Sequence, residues 1–134
     1  MRNNPNHVIA LALYAVLHVP FLHAQLVINE IHYNPDGQME DTEFVELWNS
    51  GDRAIDLGNW SMSAGIAYTF PAAAFIQAGG FVVVARSPQA FAVTYPGVRH
   101  VYGPFATDGR LSNNGERLAL SDASGVVVRE LTYG

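Results

Sequence analysis

Beyond residue 25, apolar and polar side chains alternate with a period of two, the rhythm of a β-strand that lies with one face against a core. Residues 26–33 are the first such run, with Val27, Asn29, Ile31 and Tyr33 on one face and Leu26, Ile28, Glu30 and His32 on the other. Asn34-Pro35-Asp36-Gly37 then predicts a turn, because proline presets one backbone angle and glycine tolerates a positive one. Residues 43–49 form the second strand and 54–57 begin a third, with Ser50-Gly51-Asp52 breaking the pattern between them. Gly58-Asn59 bends the chain into Trp60-Ser61-Met62-Ser63. Residues 66–70 are strand-like as far as Pro71, which has no N–H to give to a ladder.

After the turn Ala78-Gly79-Gly80, the run Phe81-Val82-Val83-Val84-Ala85 is apolar without interruption, which predicts a strand buried on both faces. One short helix follows. Ser87 can cap it, Pro88 suits its first position, and Tyr95-Pro96-Gly97 ends it within two turns, the length of a crossover rather than of a layer. Residues 117–121 and 126–131 flank Asp122-Ala123-Ser124-Gly125, a four-residue connector with glycine at its end, and so predict a hairpin. Asn113-Asn114-Gly115 marks another turn before it. Short strands with turn signals about every 8–12 residues and almost no helix indicate an all-β sandwich or barrel.

Residues 1–24 have a different grain. A short polar leader containing Arg2 and His7 precedes the apolar run from Val8 to Leu17, and Leu22-His23-Ala24 offers a cleavage site before Gln25. The apolar run is far shorter than the ~20 residues that cross a bilayer as a helix, so the segment reads as a secretory signal rather than an anchor. On that reading the domain occupies residues 25–134, has no membrane span, and is destined for the cell envelope or the exterior.

Composition then narrows the partners. Of the 134 residues, 49% are apolar and 14% charged, enough to build one core. All seven cations are arginines, and removing the leader takes Arg2, leaving six against twelve acidic residues. An acidic domain without a basic stripe cannot neutralise phosphates, so nucleic acid is not an expected partner. There is no cysteine, and the core must hold the fold without disulfides even in an oxidising compartment.

With the strands placed, the chain resembles the lamin tail domain family. The motifs are Val27-Ile28-Asn29-Glu30-Ile31-His32-Tyr33-Asn34-Pro35, Glu43-Phe44-Val45-Glu46-Leu47-Trp48-Asn49 and Ala54-Ile55-Asp56-Leu57-Gly58-Asn59-Trp60. Tyr68-Thr69-Phe70-Pro71, residues 78–84 and Leu111-Ser112-Asn113-Asn114-Gly115-Glu116 continue the match. None is specific alone; in order and at this spacing they cover nearly all of residues 26–133. The resemblance implies an immunoglobulin-like β-sandwich with binding or structural roles and no active site of its own. Exported relatives are often one module of larger proteins. No coiled-coil rod precedes the domain, so the filament role of nuclear lamins does not carry over. The chain also ends at Tyr133-Gly134, where the family continues to a closing strand, so a C-terminally incomplete sandwich with an unpaired edge is expected.

Three constellations could carry chemistry. Asp36, Glu40, Asp41 and Glu43 put four carboxylates into the connection between the first two strands, and hard cations such as calcium take several oxygen ligands from loops of this kind. Their spacing matches no EF-hand, and the plainer reading is a solvated loop with no cofactor. Second, a hairpin pairing Tyr33 with Glu43 sets Glu30 opposite Glu46. Two like charges there destabilise a sheet unless an arginine or backbone N–H groups intervene. Such a pair could also serve glycoside hydrolysis, but that requires a cleft. His32 and His100, the only histidines after the leader, lack metalloprotease spacing. Ser63, Ser112 and Ser121 lack the Gly-x-Ser-x-Gly setting of a nucleophile elbow.

Third, the aromatics. Trp48, Trp60, Tyr68, Phe70 and Phe81 are numerous enough for a sugar platform, yet large aromatics dominate burial in small sandwiches and are assigned to the core. Tyr102 and Phe105, beside Gly103-Pro104, are the expected exposed binding loop. The expected function is a non-catalytic attachment module for a protein or cell-surface ligand. A carbohydrate-binding module, in a version stabilised by calcium, is the alternative, and a small hydrolase using Glu30 and Glu46 the third class.

Overall fold

In the computed structural model the strands are, in chain order, β1 (Leu26–His32), β2 (Phe44–Asn49), β3 (Ile55–Asp56), β4 (Ser61–Ala64), β5 (Tyr68–Thr69), β6 (Phe75–Ile76), β7 (Phe81–Ala85), β8 (Val101–Tyr102), β9 (Glu116–Ser121) and β10 (Val127–Tyr133). Helix α1 (Pro88–Thr94) lies between β7 and β8, and one turn of 3-10 helix spans Glu40–Thr42. The structure describes residues 25–134 except Gln38, Asp108 and the side chain of Glu40; the expected leader falls outside these residues.

Two four-stranded sheets, ordered β1-β2-β7-β8 and β10-β9-β4-β5, face each other, and β3 and β6 pair as a small third sheet. Apolar side chains from all three meet in one core. Leu26, Val45, Leu47, Val82 and Val84 come from the first sheet, Met62, Leu118 and Leu120 from the second, and Ile55 and Ile76 from the third. Trp60 and Phe70, assigned to the core from sequence, are buried there. The architecture is an immunoglobulin-like β-sandwich, as expected, and the helix is a crossover: it carries the chain from β7 to its parallel neighbour β8.

Local chemistry sets the helix and the last hairpin. The Ser87 side chain accepts the N–H of Ala90 and Pro88 opens the first turn, as the sequence indicates. At the hairpin, Asp122 Oδ1 accepts the N–H groups of Ser124 and Val126, and Gly125 takes a φ of 85°, a conformation that costs glycine nothing.

β1 departs from the simple alternation. Ile28 pairs with Leu47 and Glu30 with Glu46, leaving Asn29 as the extra residue of a β-bulge. The bulge changes which residues share a face: Ile28, Ile31 and Tyr33 all pack on the core, whereas Glu30 does not follow Ile28 inward. A regular strand would have set Ile28 beside Glu30 and Ile31 opposite to it.

The outer face of the first sheet is divided. Helix α1 lays Phe91 over Phe44, Val83 and Ala85, forming a second small core with Tyr95 and Val101. The helix is too short to reach the row Val27–Trp48–Phe81, whose members pair across the three strands. Phe81 is 46% exposed and Trp48 only partly buried. Assigning Trp48 and Phe81 to the interior is therefore incorrect, as is burial of β7 on both faces along its whole length; only residues 82–85 have cover on both sides.

Candidate functional site

Of the acidic residues between β1 and β2, Glu43 and Asp41 both approach Arg86 but differ in burial. Glu43 turns inward and is only 2% exposed; its Oε2 accepts the N–H of Leu111 at 3.0 Å and lies 3.8 Å from Arg86 Nη1. Asp41 faces solvent with Arg86 Nε 3.8 Å from its carboxylate, and Asp36 is exposed. Among the described residues no group of three or more His, Asp or Glu side chains is placed to hold a metal ion. The Glu40 side chain is outside that description.

Glu30 and Glu46 do stand opposite each other. The group that intervenes is neither an arginine nor a backbone N–H but the side chain of Asn29, whose Nδ2 donates to Glu46 Oε1 at 2.8 Å. The bulge that re-aims β1 also supplies this amide. Both carboxylates lie on the outer side of the sheet, Glu30 exposed and Glu46 half-buried.

Tyr102 and Phe105 are not the exposed loop that the Gly103-Pro104 context suggested. Pairing of Val84 with Tyr102 puts the tyrosine on the inner face, where it meets Phe70 edge-on at 5.2 Å. Phe105 is 5% exposed and belongs to the main core; the backbone docks there through Ala106 N–H donating to the Ala67 carbonyl. Phe105 is therefore closed to a ligand, and Tyr102 is half-buried against the core.

The histidines and serines have structural places. His32 stacks on Phe44, ring centres 5.1 Å apart at 15°, and His100, with φ 59°, leads into β8. The hydroxyls of Ser63 and Ser121 share a hydrogen bond of 2.7 Å, and Ser112 Oγ accepts the N–H of Asn114. Burial, assisted by the hydrogen bond to Glu116, raises the Tyr133 hydroxyl well above its usual 10.0, and burial also raises Tyr68.

One buried polar residue escaped sequence reading. Asn49, fully buried at the end of β2, donates through Nδ2 to the carbonyls of Arg53 and Gln77 and accepts the N–H of Gly51. It ties the β2–β3 loop to β6. Its place between Trp48 and the Ser50-Gly51 break was the available signal, since asparagine at such breaks bonds local backbone.

What remains as a surface for recognition is the open half-face. Trp48 and Phe81 stack across β2 and β7 with ring centres 6.0 Å apart and planes within 13°. The row is flanked on both sides. A cleft of about 180 Å³ between the edge strands β1 and β10 is lined by Val27, Ile28, Arg129, Glu130 and Leu131. A crevice of about 40 Å³ beside Phe81 is lined in part by Phe75, Gln77 and His100. Both fall well below the ~300–1,000 Å³ of sites that engulf small molecules. No helix among the described residues is long and apolar enough to cross a membrane.

Two facing antiparallel-rich sheets, a filled interior and an aromatic pair turned to solvent define an immunoglobulin-like structural domain. The family model of the Lamin Tail Domain matches residues 22–134, and the chain belongs to that family. None of the curated proteins compared with the chain gives a significant match.

Proposed function

We propose that this protein is a non-catalytic, extracytoplasmic attachment module that uses the open half of its first sheet to hold a surface or a partner protein. The observation that carries the reading is the solvent-facing Trp48–Phe81 pair on a face that α1 covers only in part. A sandwich that buries Trp60 and Phe70 has no structural need to leave these two rings outside, and exposed aromatics anchor recognition surfaces. The reading requires no cofactor. Export is supported by the leader-like residues 1–24.

The test is a reporter fused after Gly134 of the full chain. The reporter is expected outside the cytoplasm, with a new N-terminus at Gln25, and retained on washed envelopes of the source cell. Retention is expected to fall in the Trp48→Ala and Phe81→Ala proteins. Recovery in the cytoplasm, or outside it with no retention, would overturn the proposal.

A further inference from the structure

We infer that Asn114 is a site of spontaneous modification: it loses its side-chain amide to attack by the Gly115 nitrogen, and the product loosens the end of β10. The inference is independent of the attachment reading. An asparagine side chain reaches forward far enough for the next backbone nitrogen to close a five-membered ring on Cγ. A side chain on that next residue crowds the attack, and glycine has none. Of the asparagines in the chain, only Asn114 precedes a glycine. Asn34 is followed by Pro35, whose nitrogen has no hydrogen to give up, and Asn59 by the bulky Trp60.

The fold leaves the group open. Asn114 is exposed at the corner of the turn before β9, and no hydrogen bond among the described residues holds its side-chain amide. By contrast, the amides of Asn29 and Asn49 are tied to Glu46 and to backbone carbonyls. The Gly115 N–H reaches the Ser112 carbonyl at 3.2 Å, the long limit of such a bond. That bond is the restraint the reaction has to open.

The chemistry needs only base and water. Base takes the Gly115 N–H proton, the nitrogen bonds to Asn114 Cγ, and the Cγ–Nδ2 bond breaks to release ammonia. Water then opens the cyclic imide at either carbonyl. Opening at Cγ leaves an aspartate on an ordinary backbone. Opening at the other carbonyl routes the chain through Cβ and Cγ, and the former backbone carbonyl becomes a free carboxylate.

The second product falls where the fold has little room. A methyl on Gly115 would already collide with the Tyr133 carbonyl oxygen and the Gly134 Cα, and an extra main-chain atom makes the same demand. The new carboxylate takes the place of the Asn114 carbonyl, whose oxygen lies beside Gly134. Two residues on, Glu116 Oε1 accepts the Ser112 N–H and the Tyr133 O–H. A second negative charge opposes the first, so the turn and the end of β10 loosen together.

The test holds the full, folded chain at mildly alkaline pH for several days and maps its peptides by mass spectrometry. Exchange of amide for acid is expected at Asn114, as a mixture of normal and rearranged aspartate. Asn113, its exposed neighbour, is expected to convert about ten times more slowly, the factor set by ~1.4 kcal/mol of barrier. Asn114→Gln, whose longer side chain would have to close a six-membered ring, is expected to keep its amide and the melting temperature of fresh protein. Converted protein, separated by anion exchange, is expected to melt several degrees lower. Asn114→Asp, which has the charge on an ordinary backbone, is expected to lose less. An Asn114 that stays an amide in the folded chain overturns the inference, whether or not unfolding in urea frees it to react. Conversion of Asn113 at an equal rate also overturns it, as does converted protein that melts together with fresh protein.

Discussion

The carboxylate of Glu43 accepts the backbone N–H of Leu111 from the far half of the chain, with the Arg86 guanidinium beside it. The bond fastens the segment before β9 to the start of β2 in a place that water does not reach. A buried carboxylate with these partners is costly to disturb, because removing it strands the Leu111 N–H and takes from Arg86 one of its acidic neighbours. Glu43→Ala is expected to lower stability by about 3 kcal/mol, read as a lower urea midpoint with unchanged slope. A loss below about 1 kcal/mol, the scale of an exposed pair, would show that the contact is ornamental.

The two tryptophans should respond in opposite ways. Trp60 fills the core, and Trp60→Ala is expected to cost about 3–5 kcal/mol. Trp48 forfeits mainly its stacking on Phe81, so Trp48→Ala should cost about 1 kcal/mol. Acrylamide quenching checks the same assignment without a melt: one tryptophan population should be accessible and the other protected. Equal protection of both would contradict the open half-face.

How much of this could be read from the sequence depended on distance along the chain. The α1 cap at Ser87 and the Asp122–Gly125 turn are local devices, and their residues announced them. The continuous apolar run of β7 revealed a strand with cover on both sides, but not where the cover stops. That limit is set by the length of α1 and its seat on Phe44 and Val83, which only the assembled fold fixes. Trp48 was nonetheless legible: Glu46 lies between Phe44 and Trp48 on the same face of β2, and a carboxylate on that face marks it as the outer one. The Asn29 bulge was not, since one extra residue leaves the alternation looking intact. Phe105 was misread for a similar reason. Its burial depends on docking against residue 67, far away in sequence, whereas its neighbours Gly103 and Pro104 describe only a bend.

Glu30 and Glu46 face each other with one amide to reconcile them. Replacing Glu30 with Gln removes the like-charge opposition and should stabilise the protein by about 0.5 kcal/mol. Asn29→Ala removes the donor to Glu46 and should destabilise by about 1 kcal/mol. Thermal melts of the two variants should move in opposite directions; movement in the same direction would refute this account of the bulge.

Gly115 and Gly125 have nearly the same φ, 84° and 85°, in different surroundings. A Cβ at Gly125 meets nothing within 4 Å, but at Gly115 it would stand 2.2 Å from the Tyr133 carbonyl oxygen. Gly125→Ala should cost only the left-handed conformation, about 1–2 kcal/mol. Gly115→Ala must also push β10 aside and should cost clearly more. Equal denaturation midpoints for the two would be incompatible with the packing of β10 on this turn.

Tyr133 makes stability fall in alkali. Its hydroxyl donates to Glu116 and is partly buried, so the folded protein holds this proton more tightly than the unfolded chain does. The resulting stability is complete below the ordinary tyrosine value of 10.0 and is lost as pH rises above it. Tyr133→Phe, which has no proton to lose, should be less stable at neutral pH and decline less steeply above pH 10. A parallel decline in both proteins would remove Tyr133 from the explanation.

β4 has one ladder partner close by, β5, and another, β9, in which Ser61 meets Ser121. The second arrives only after β5, β6, β7, α1 and β8 have been made. At about 5–20 residues per second on a ribosome, Met62 waits several seconds for the neighbour that shields it. In that interval something other than the sandwich has to keep the growing polypeptide from sticking to its copies.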